Sequence, residues 1–360
     1  MLKKIMLIML LLLSVMLVRA NAMSEFENTI DDRLESIDIK NFDIIEFKKS
    51  IMEKGSMPGA SEIPDYIFDL VFKEAYTTFK TFLVLVIPVL LMGILKNISL
   101  KDDGVSQMAS ICSYLAISGI IIYTFTDAVN LSRETVDSIK IMADCLIPVL
   151  YSIMLTLGKI TTYTVMHPTV LFLSQLIMLV IKKLLFPMIM LGFALNVTDN
   201  ITGEEKLKKI STLLNKIIKW MLIFMISLFT AILSAQNILT HSFDTVAMKG
   251  TKFVVANFIP VVGGVISDGA ENIGSSLIMI KNATGIAGAV GIIVTAFVPV
   301  IRIYLISLMY HILSALTGFV GDDRISKVLD NTGGTISMLG AVVISTTFLL
   351  IISVAITLGG

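Results

Sequence analysis

The residue types that most often carry catalysis or bind metals are few and scattered in this sequence. His167, His241 and His311 lie far apart, without paired carboxylates at the spacing of a metal site. Neither the H-E-x-x-H pattern of zinc proteases nor the G-x-x-x-x-G-K-[ST] pattern of nucleotide-binding loops occurs. Missing motifs do not rule out an intramembrane protease, although no serine or aspartate pair stands out. We therefore expect no enzyme activity and no cofactor or metal site, and any energy source must come from another protein.

Ionisable residues within apolar runs are the other chemically informative feature. Arg302 lies inside the apolar run 284–318, where a charge at the bilayer centre costs about 2.5 to 3.5 kcal/mol. It is either part of a loop between two helices or a buried functional charge, and Pro299 just before it favours the loop or an interface. Lys182 and Lys183 are predicted to mark a boundary between segments, because an adjacent lysine pair is hard to accommodate at mid-depth.

The composition indicates a membrane protein. Hydrophobic residues make up 55% of the 360 residues and charged residues only 16%, and the mean hydropathy is +0.88. Too little polar surface remains to cover a soluble globule of this length. Lysine plus arginine equals aspartate plus glutamate at 28 each, so no overall basic excess suggests nucleic-acid binding.

Residues 1–22 have the three parts of a secretory signal peptide. Lys3 and Lys4 precede an apolar core from Ile5 to Val18, and a small-x-small cleavage site ends at Ala22. Cleavage after Ala22 is the favoured interpretation, and an uncleaved signal anchor is the alternative because Arg19 lies close to the site. In either case the following residues begin outside the cytoplasm.

Residues 23–78 form the only extended polar region, and it is acidic. Apolar residues at helical spacing predict short amphipathic helices around a turn at 55–59. We interpret this region as a small helical extracytoplasmic unit. It is either a docking surface or a solvated pair of helices beside the membrane.

Residues 79–360 predict an all-α, multi-pass membrane domain. Several hydrophobic segments reach the roughly 20 residues that cross a hydrocarbon core of about 30 Å, but those that begin at 184 and 253 are as short as re-entrant pieces. Six to nine crossings are compatible with this pattern. The segments are 79–95, 106–126, 141–157, 163–181, 184–197, 216–235, 253–267, 284–318 and 335–358.

A basic helix gives the orientation signal. Its lysines lie beside Trp220, and the positive-inside rule places such a cluster in the cytoplasm. It serves as an orientation anchor or, alternatively, as a docking site for a partner. The lysines are Lys206, Lys208, Lys209, Lys216 and Lys219.

Proline positions suggest an internal repeat with units of about 106–213 and 218–325. Pro148 in an Ile-Pro-Val triplet recurs as Pro260 at an offset of 112 residues, and the same offset carries Pro187 onto Pro299. Chance alignment of apolar segments is the alternative. Paired proline-interrupted segments point to a translocation or binding interface near the midplane, and a parallel repeat is favoured over an inverted one.

Within the glycine-rich stretch 247–293, the segment 253–266 is too short to span a membrane comfortably and predicts a re-entrant or broken helix. Gly263 and Gly264 allow the backbone to turn or approach another element closely, and Asp268 makes the rim polar. Further on, three small residues at four-residue intervals form a face on which helices can pack, which is favoured over pore lining. The candidate conduit or assembly residues are Pro148, Pro187, Pro260, Gly263, Gly264, Asp268, Ala283, Ala287, Gly291, Pro299 and Arg302.

The runs 249–268 (KGTKFVVANFIPVVGGVISD) and 281–288 (KNATGIAG) resemble the stage III sporulation protein AE family of endospore-forming bacteria. The signal peptide, the acidic N-terminal region, the chain length and the final apolar helix agree with that family. The resemblance therefore covers essentially the whole chain.

This resemblance implies a multi-pass protein made in the mother cell and located in the membrane around the engulfed forespore. It implies partners from the same operon, including a cytoplasmic ATPase and ring-forming proteins, and a partner in the forespore membrane. Together they would form a channel-like complex that sustains forespore gene expression and development. The family supplies no catalytic residues. A stand-alone secondary permease and a non-conducting scaffold for ring assembly are the alternatives.

Overall fold

The computed structural model describes residues 72, 74–76, 78–80, 82–84, 86–89, 103–202, 208–258, 263–320 and 323–359. Within the long helices, side chains are described for 115–199, 209–247, 274–319 and 324–359. All of these residues are helical except the turn at 157–159, and the described part contains no strand. The all-α prediction is confirmed for this part, whereas the predicted signal peptide and nearly all of 23–78 lie outside it.

The first half of the membrane domain consists of two continuous helical rods. Helix α1 spans Asp103–Thr156. The second rod comprises α2, Ile160–Val180, a π-helical turn, Ile181–Leu185, and α3, Phe186–Thr202.

The predicted division of each rod into two segments is therefore wrong. Segments 106–126 and 141–157 both lie on α1, and the boundary expected at Lys182 and Lys183 lies within the second rod. Polar residues end a hydrophobic run, but residues such as Arg, Glu and Lys have high helix propensity and do not end a helix.

The second half contains three long helices: α4, Lys208–Phe258, α5, Gly263–Val320, and α6, Asp323–Gly359. Among the described residues, five helical stretches are long and apolar enough to cross a membrane: Leu115–Thr156, Ile160–Asp199, Lys209–Ala247, Gly274–Phe319 and Arg324–Gly359. With 58 residues, α5 is about 87 Å long, nearly three times the thickness of a hydrocarbon core.

Three of the four predicted prolines do not interrupt these helices, contrary to the prediction of proline-broken segments at those positions, whereas Pro260 lies outside the described residues. Pro148 lies inside α1 and Pro299 inside α5, and Pro187 is the second residue of α3. Ile147 and Leu150 beside Pro148 are fully buried, so packing holds the helix together despite the backbone hydrogen bond that proline removes. The internal repeat itself stays a prediction.

Helix α6 is the central element of the bundle. It contacts α1, α3, α4 and α5, and its contact with α5 is the most extensive in the described part. Helices α5 and α6 are antiparallel, and the Ser307 hydroxyl donates to the Gly333 carbonyl oxygen at 2.8 Å. Large side chains such as Tyr151, Tyr310 and Phe186 fill the interior, whereas α4 exposes Trp220 and other apolar side chains that suit a lipid environment.

Candidate functional site

Four ionisable residues form a charged stripe along α1, within the membrane-length segment Leu115–Thr156. They are Arg133, Asp137, Lys140 and Asp144. At 3.6 residues per turn their directions fall within a sector of about 60°. Their charges alternate in sign along the helix, so each has an opposite charge within one turn.

The charged stripe lies along the seam between α1 and the second rod. Lys140 forms an ion pair with Asp144, and Lys182 of the π-helical turn forms one with Asp137. Asp144 is 37% exposed at the side chain and Lys182 is 42% exposed. Three members of the stripe are therefore ion-paired, and the described part of the chain covers the stripe only in part.

Arg133, at the N-terminal end of the charged stripe, contacts α3. Its Nη2 lies 3.3 Å from the Met190 Sδ, and its guanidinium carbon lies 5.4 Å from the centre of the Phe186 ring. The second contact has the geometry of a cation–π interaction. Arg133 thus rests on polarisable groups, whereas the other three members of the stripe have ionic partners.

Arg302 forms an ion pair with Asp127 across the interface of α5 and α1. Its Nη2 lies 3.1 Å from the Asp127 Oδ2. Arg302 is inside a continuous helix, so the favoured prediction of a loop is wrong. A position at an interface stays a prediction, and in the structure the residue joins two helices. Its side chain is 38% exposed, which places it at an accessible edge of the bundle.

The Asp127–Arg302 pair lies in a cleft with a volume of about 160 Å³. Helices α1 and α5 form two walls, and Phe82 belongs to the third. The buried Tyr310 lines the same cleft, as does Thr124. A cavity of this size with polar walls accommodates several water molecules.

A second polar cluster lies at the far end of the bundle. The buried carboxylate of Asp244 accepts hydrogen bonds from the backbone N–H groups of Thr161, at 2.8 Å, and Thr162, at 2.9 Å. It thereby satisfies donors that the first turn of α2 leaves free. Burial lowers the pKa of the neighbouring Lys159, and the charge of Asp244 partly opposes this shift.

Lys281 of α5 belongs to the same end. Its Nζ donates to the backbone carbonyl oxygen of Leu358 at 3.1 Å and lies 3.4 Å from that of Thr357. The carbonyls of the last helical turn lack partners within the helix, and a cation there also interacts favourably with the helix dipole. Within the described residues, no group of histidine, cysteine, aspartate and glutamate side chains could hold a metal ion.

Comparison with known proteins identifies the family. The sequence model of stage III sporulation protein AE matches residues 42–360. The chain belongs to the stage III sporulation protein AE family. It is 25% identical to stage III sporulation protein AE of Bacillus subtilis (strain 168) over 298 residues, which cover 81% of this chain and 74% of that protein. No solved structure matches.

Family membership directs attention to the residues that the sequence predicted as a conduit or assembly site. The structure does not bring them together in one place. Pro148 and Pro299 lie within α1 and α5, and Pro260 lies outside the described residues. The backbones of Gly263, Gly264 and Asp268 form the start of α5, but nothing is described of the side chains there.

The small residues of α5 lie in helix contacts. Ala283 and Ala287 are buried, as is Gly291. A methyl group added at Gly288 would overlap the Leu146 side chain of α1, and one added at Gly285 would overlap Leu358 of α6. The small side chains therefore let α5 approach both helices closely.

Sequence reasoning in this family member missed the charged stripe. The predicted hydrophobic segments 106–126 and 141–157 left Arg133, Asp137 and Lys140 in the connection between them and placed Asp144 in the second segment. The spacing of Arg133, Asp137, Lys140 and Asp144 at intervals of four, three and four residues was available in the sequence. Such spacing puts charges on one face of a helix, and it becomes informative once α1 is known to be continuous.

Proposed function

We propose that this protein is a multi-pass membrane component of a channel-like sporulation complex that links the mother cell and the forespore. The supporting observation is a family match over residues 42–360 in a chain whose described part contains five helices of membrane-crossing length and hydropathy. Family membership supports a role in sporulation, and the helices support a membrane location. The complex, its position in the mother-cell membrane and its effect on late forespore gene expression are the proposal.

The proposed partners are a cytoplasmic ATPase, ring-forming proteins of the same operon and a protein of the forespore membrane. This protein would contribute no catalysis of its own. Its bundle would provide a rigid membrane base, because α6 packs against four other helices. The ATPase would supply the energy, and the rings would extend the assembly out of the membrane.

Purification from sporulating cells tests the proposal. The full-length protein is isolated in mild detergent with a C-terminal tag, and co-purifying proteins are identified by mass spectrometry. We expect the ATPase and the ring-forming proteins, and we expect deletion of the gene to stop late forespore gene expression while engulfment is completed. Normal late expression in the deletion strain would contradict the proposal.

The charged stripe favours one second candidate, a stand-alone secondary permease. Paired charges within membrane helices are typical of transport pathways. Reconstitution of the purified protein alone in vesicles separates the candidates. Solute flux without partners would support the permease, whereas flux that requires the co-purified proteins would support the complex.

A further inference from the structure

The depth of the charged stripe follows from the polar residues of α5. Lys281 and Arg302 are separated by about 31 Å along this helix, which equals the thickness of a hydrocarbon core. Between them α5 has no other ionisable side chain. Because this is the longest part of α5 without an ionisable side chain, we assign the layer in which lipid chains surround α5 to the stretch between Lys281 and Arg302.

Helix α1 runs antiparallel to α5 through this layer. Gly288 lies against Leu146, and further along α5 the hydroxyl of Thr295 lies 3.1 Å from the Met142 Sδ. Thr295 is about 10 Å from the Arg302 level and about 21 Å from the Lys281 level. Residues near Met142 on α1 are thus well inside the layer.

The ion pair between Lys140 and Asp144 flanks Met142 in sequence and shares this depth. The two side chains are 20% and 37% exposed, so the described part of the chain covers them only in part. A charged residue at the centre of a bilayer costs about 2.5 to 3.5 kcal/mol. Hydrocarbon is therefore an unfavourable neighbour, and water or another polypeptide must face the pair.

Charge favours water over a second copy of the chain. Copies related by an axis along the membrane normal place equivalent residues at equal depth, so facing stripes would oppose Arg133 with Arg133 and Asp144 with Asp144. Three of the four ions are moreover already paired within one molecule, Lys140 with Asp144 and Asp137 with Lys182. Arg133, which lies over the Phe186 ring, is the exception, and a facing copy would place another arginine against it.

We infer that the charged stripe of α1, together with Lys182, lines a water-filled crevice that enters the membrane from the Arg302 level and reaches Asp144. The crevice would admit water and small polar solutes. The role of the crevice as a route through the complex rests on the proposed function, whereas the existence of the crevice does not rest on it. It replaces the glycine-rich segment as the first candidate for a hydrated surface.

Spin labels test the crevice in lipid vesicles that contain only the full-length protein. Cys112 and Cys145 are first replaced by serine, and single labels are then attached through Asp144→Cys or Ile141→Cys. Ile141 is exposed beside the stripe, and its replacement keeps every charge in place, so it serves as the second variant if Asp144→Cys fails to fold.

The matched controls are Leu176→Cys on α2 and Ile293→Cys on α5. Both are exposed apolar residues at similar depth, because Lys182 lies opposite Asp137 and Ile293 lies beside Thr295. Collision with a water-soluble nickel chelate and with oxygen is measured for each label. A label that faces water is accessible to the nickel chelate, and a label that faces lipid is accessible to oxygen alone. A label inside protein is accessible to neither reagent.

We expect nickel accessibility at 144 and 141 to exceed that at 176 and 293 several-fold. Oxygen accessibility alone at 144 and 141 would overturn the inference, because it would place the stripe against lipid. Low accessibility to both reagents would also overturn it and would indicate a protein contact. Either result is independent of co-purification, so failure of the crevice and failure of the proposed complex are distinguishable.

Discussion

The Nζ of Lys281 donates to the backbone carbonyl oxygen of Leu358 at 3.1 Å, so a buried lysine of α5 caps the C-terminal turn of α6. This contact fixes the end of the central helix to the start of the membrane part of α5. It also removes the lysine from the lipid, since its charge meets carbonyl oxygens and the negative end of a helix dipole.

Lys281→Glu is expected to destabilise the bundle by more than about 2 kcal/mol, because a carboxylate would replace the donor at a helix C-terminus. Thermal unfolding in detergent measures the change. Asn282→Glu is the control, since this neighbouring side chain is exposed. Equal losses for both variants would show that the contact with Leu358 contributes nothing.

Gly333→Ala is expected to loosen the α5–α6 hairpin. A methyl group there would lie 3.0 Å from the backbone oxygen of Ser307 and 3.1 Å from the His311 ring, which forces the helices apart. The adjacent Gly334 has open space, so Gly334→Ala should stabilise the helix by up to about 1 kcal/mol through propensity. Melting temperatures that shift in opposite directions would confirm this difference, and a gain for both would contradict the packing.

Asp244→Ala should cost about 1 to 2 kcal/mol, because the N–H groups of Thr161 and Thr162 lose their acceptor at the start of α2. Ser242→Ala provides the comparison, since its hydroxyl bonds only within its own helix, to the Ile238 carbonyl oxygen. We expect the serine variant to stay within about 0.5 kcal/mol of the parent protein. Hydrogen exchange at the first turn of α2 localises the effect.

Arg302 and Asp127 should be coupled in a double-mutant cycle. With both side chains more than a third exposed, the interaction is expected to contribute only about 0.2 to 1 kcal/mol. The cycle uses Arg302→Gln, Asp127→Asn and the double variant, each measured by unfolding in detergent. Additive losses would mean that the ion pair stabilises nothing.

Composition and hydrophobic segments were sufficient to predict an all-helical membrane protein. They were not sufficient to divide it into helices, because hydropathy falls wherever charges appear, as at Lys182, whether or not the helix continues. Arg302 shows the same limit. Its place in a helix beside Asp127 depends on a partner 175 residues away, and no local pattern in the sequence specifies that pairing.

The proline positions misled for a related physical reason. A proline removes one backbone donor, and this local loss suggested a broken helix at Pro148. In the structure, Ile147 and Leu150 beside Pro148 are fully buried. Their packing depends on the other helices of the bundle, which the local sequence does not specify. The close helix contact around Gly288, by contrast, could be predicted from the sequence, because such a contact requires small side chains on one face of a helix.

The π-helical turn Ile181–Leu185 has a consequence for comparing this chain with its relatives. A single π-helical turn accommodates about one residue more than an α-helical turn, so every later side chain is rotated by about 100° from the direction that α2 alone would give it. A relative with a regular helix at this point would need one residue fewer to present the same face of α3. An alignment without a gap there would pair lipid-facing positions with buried ones.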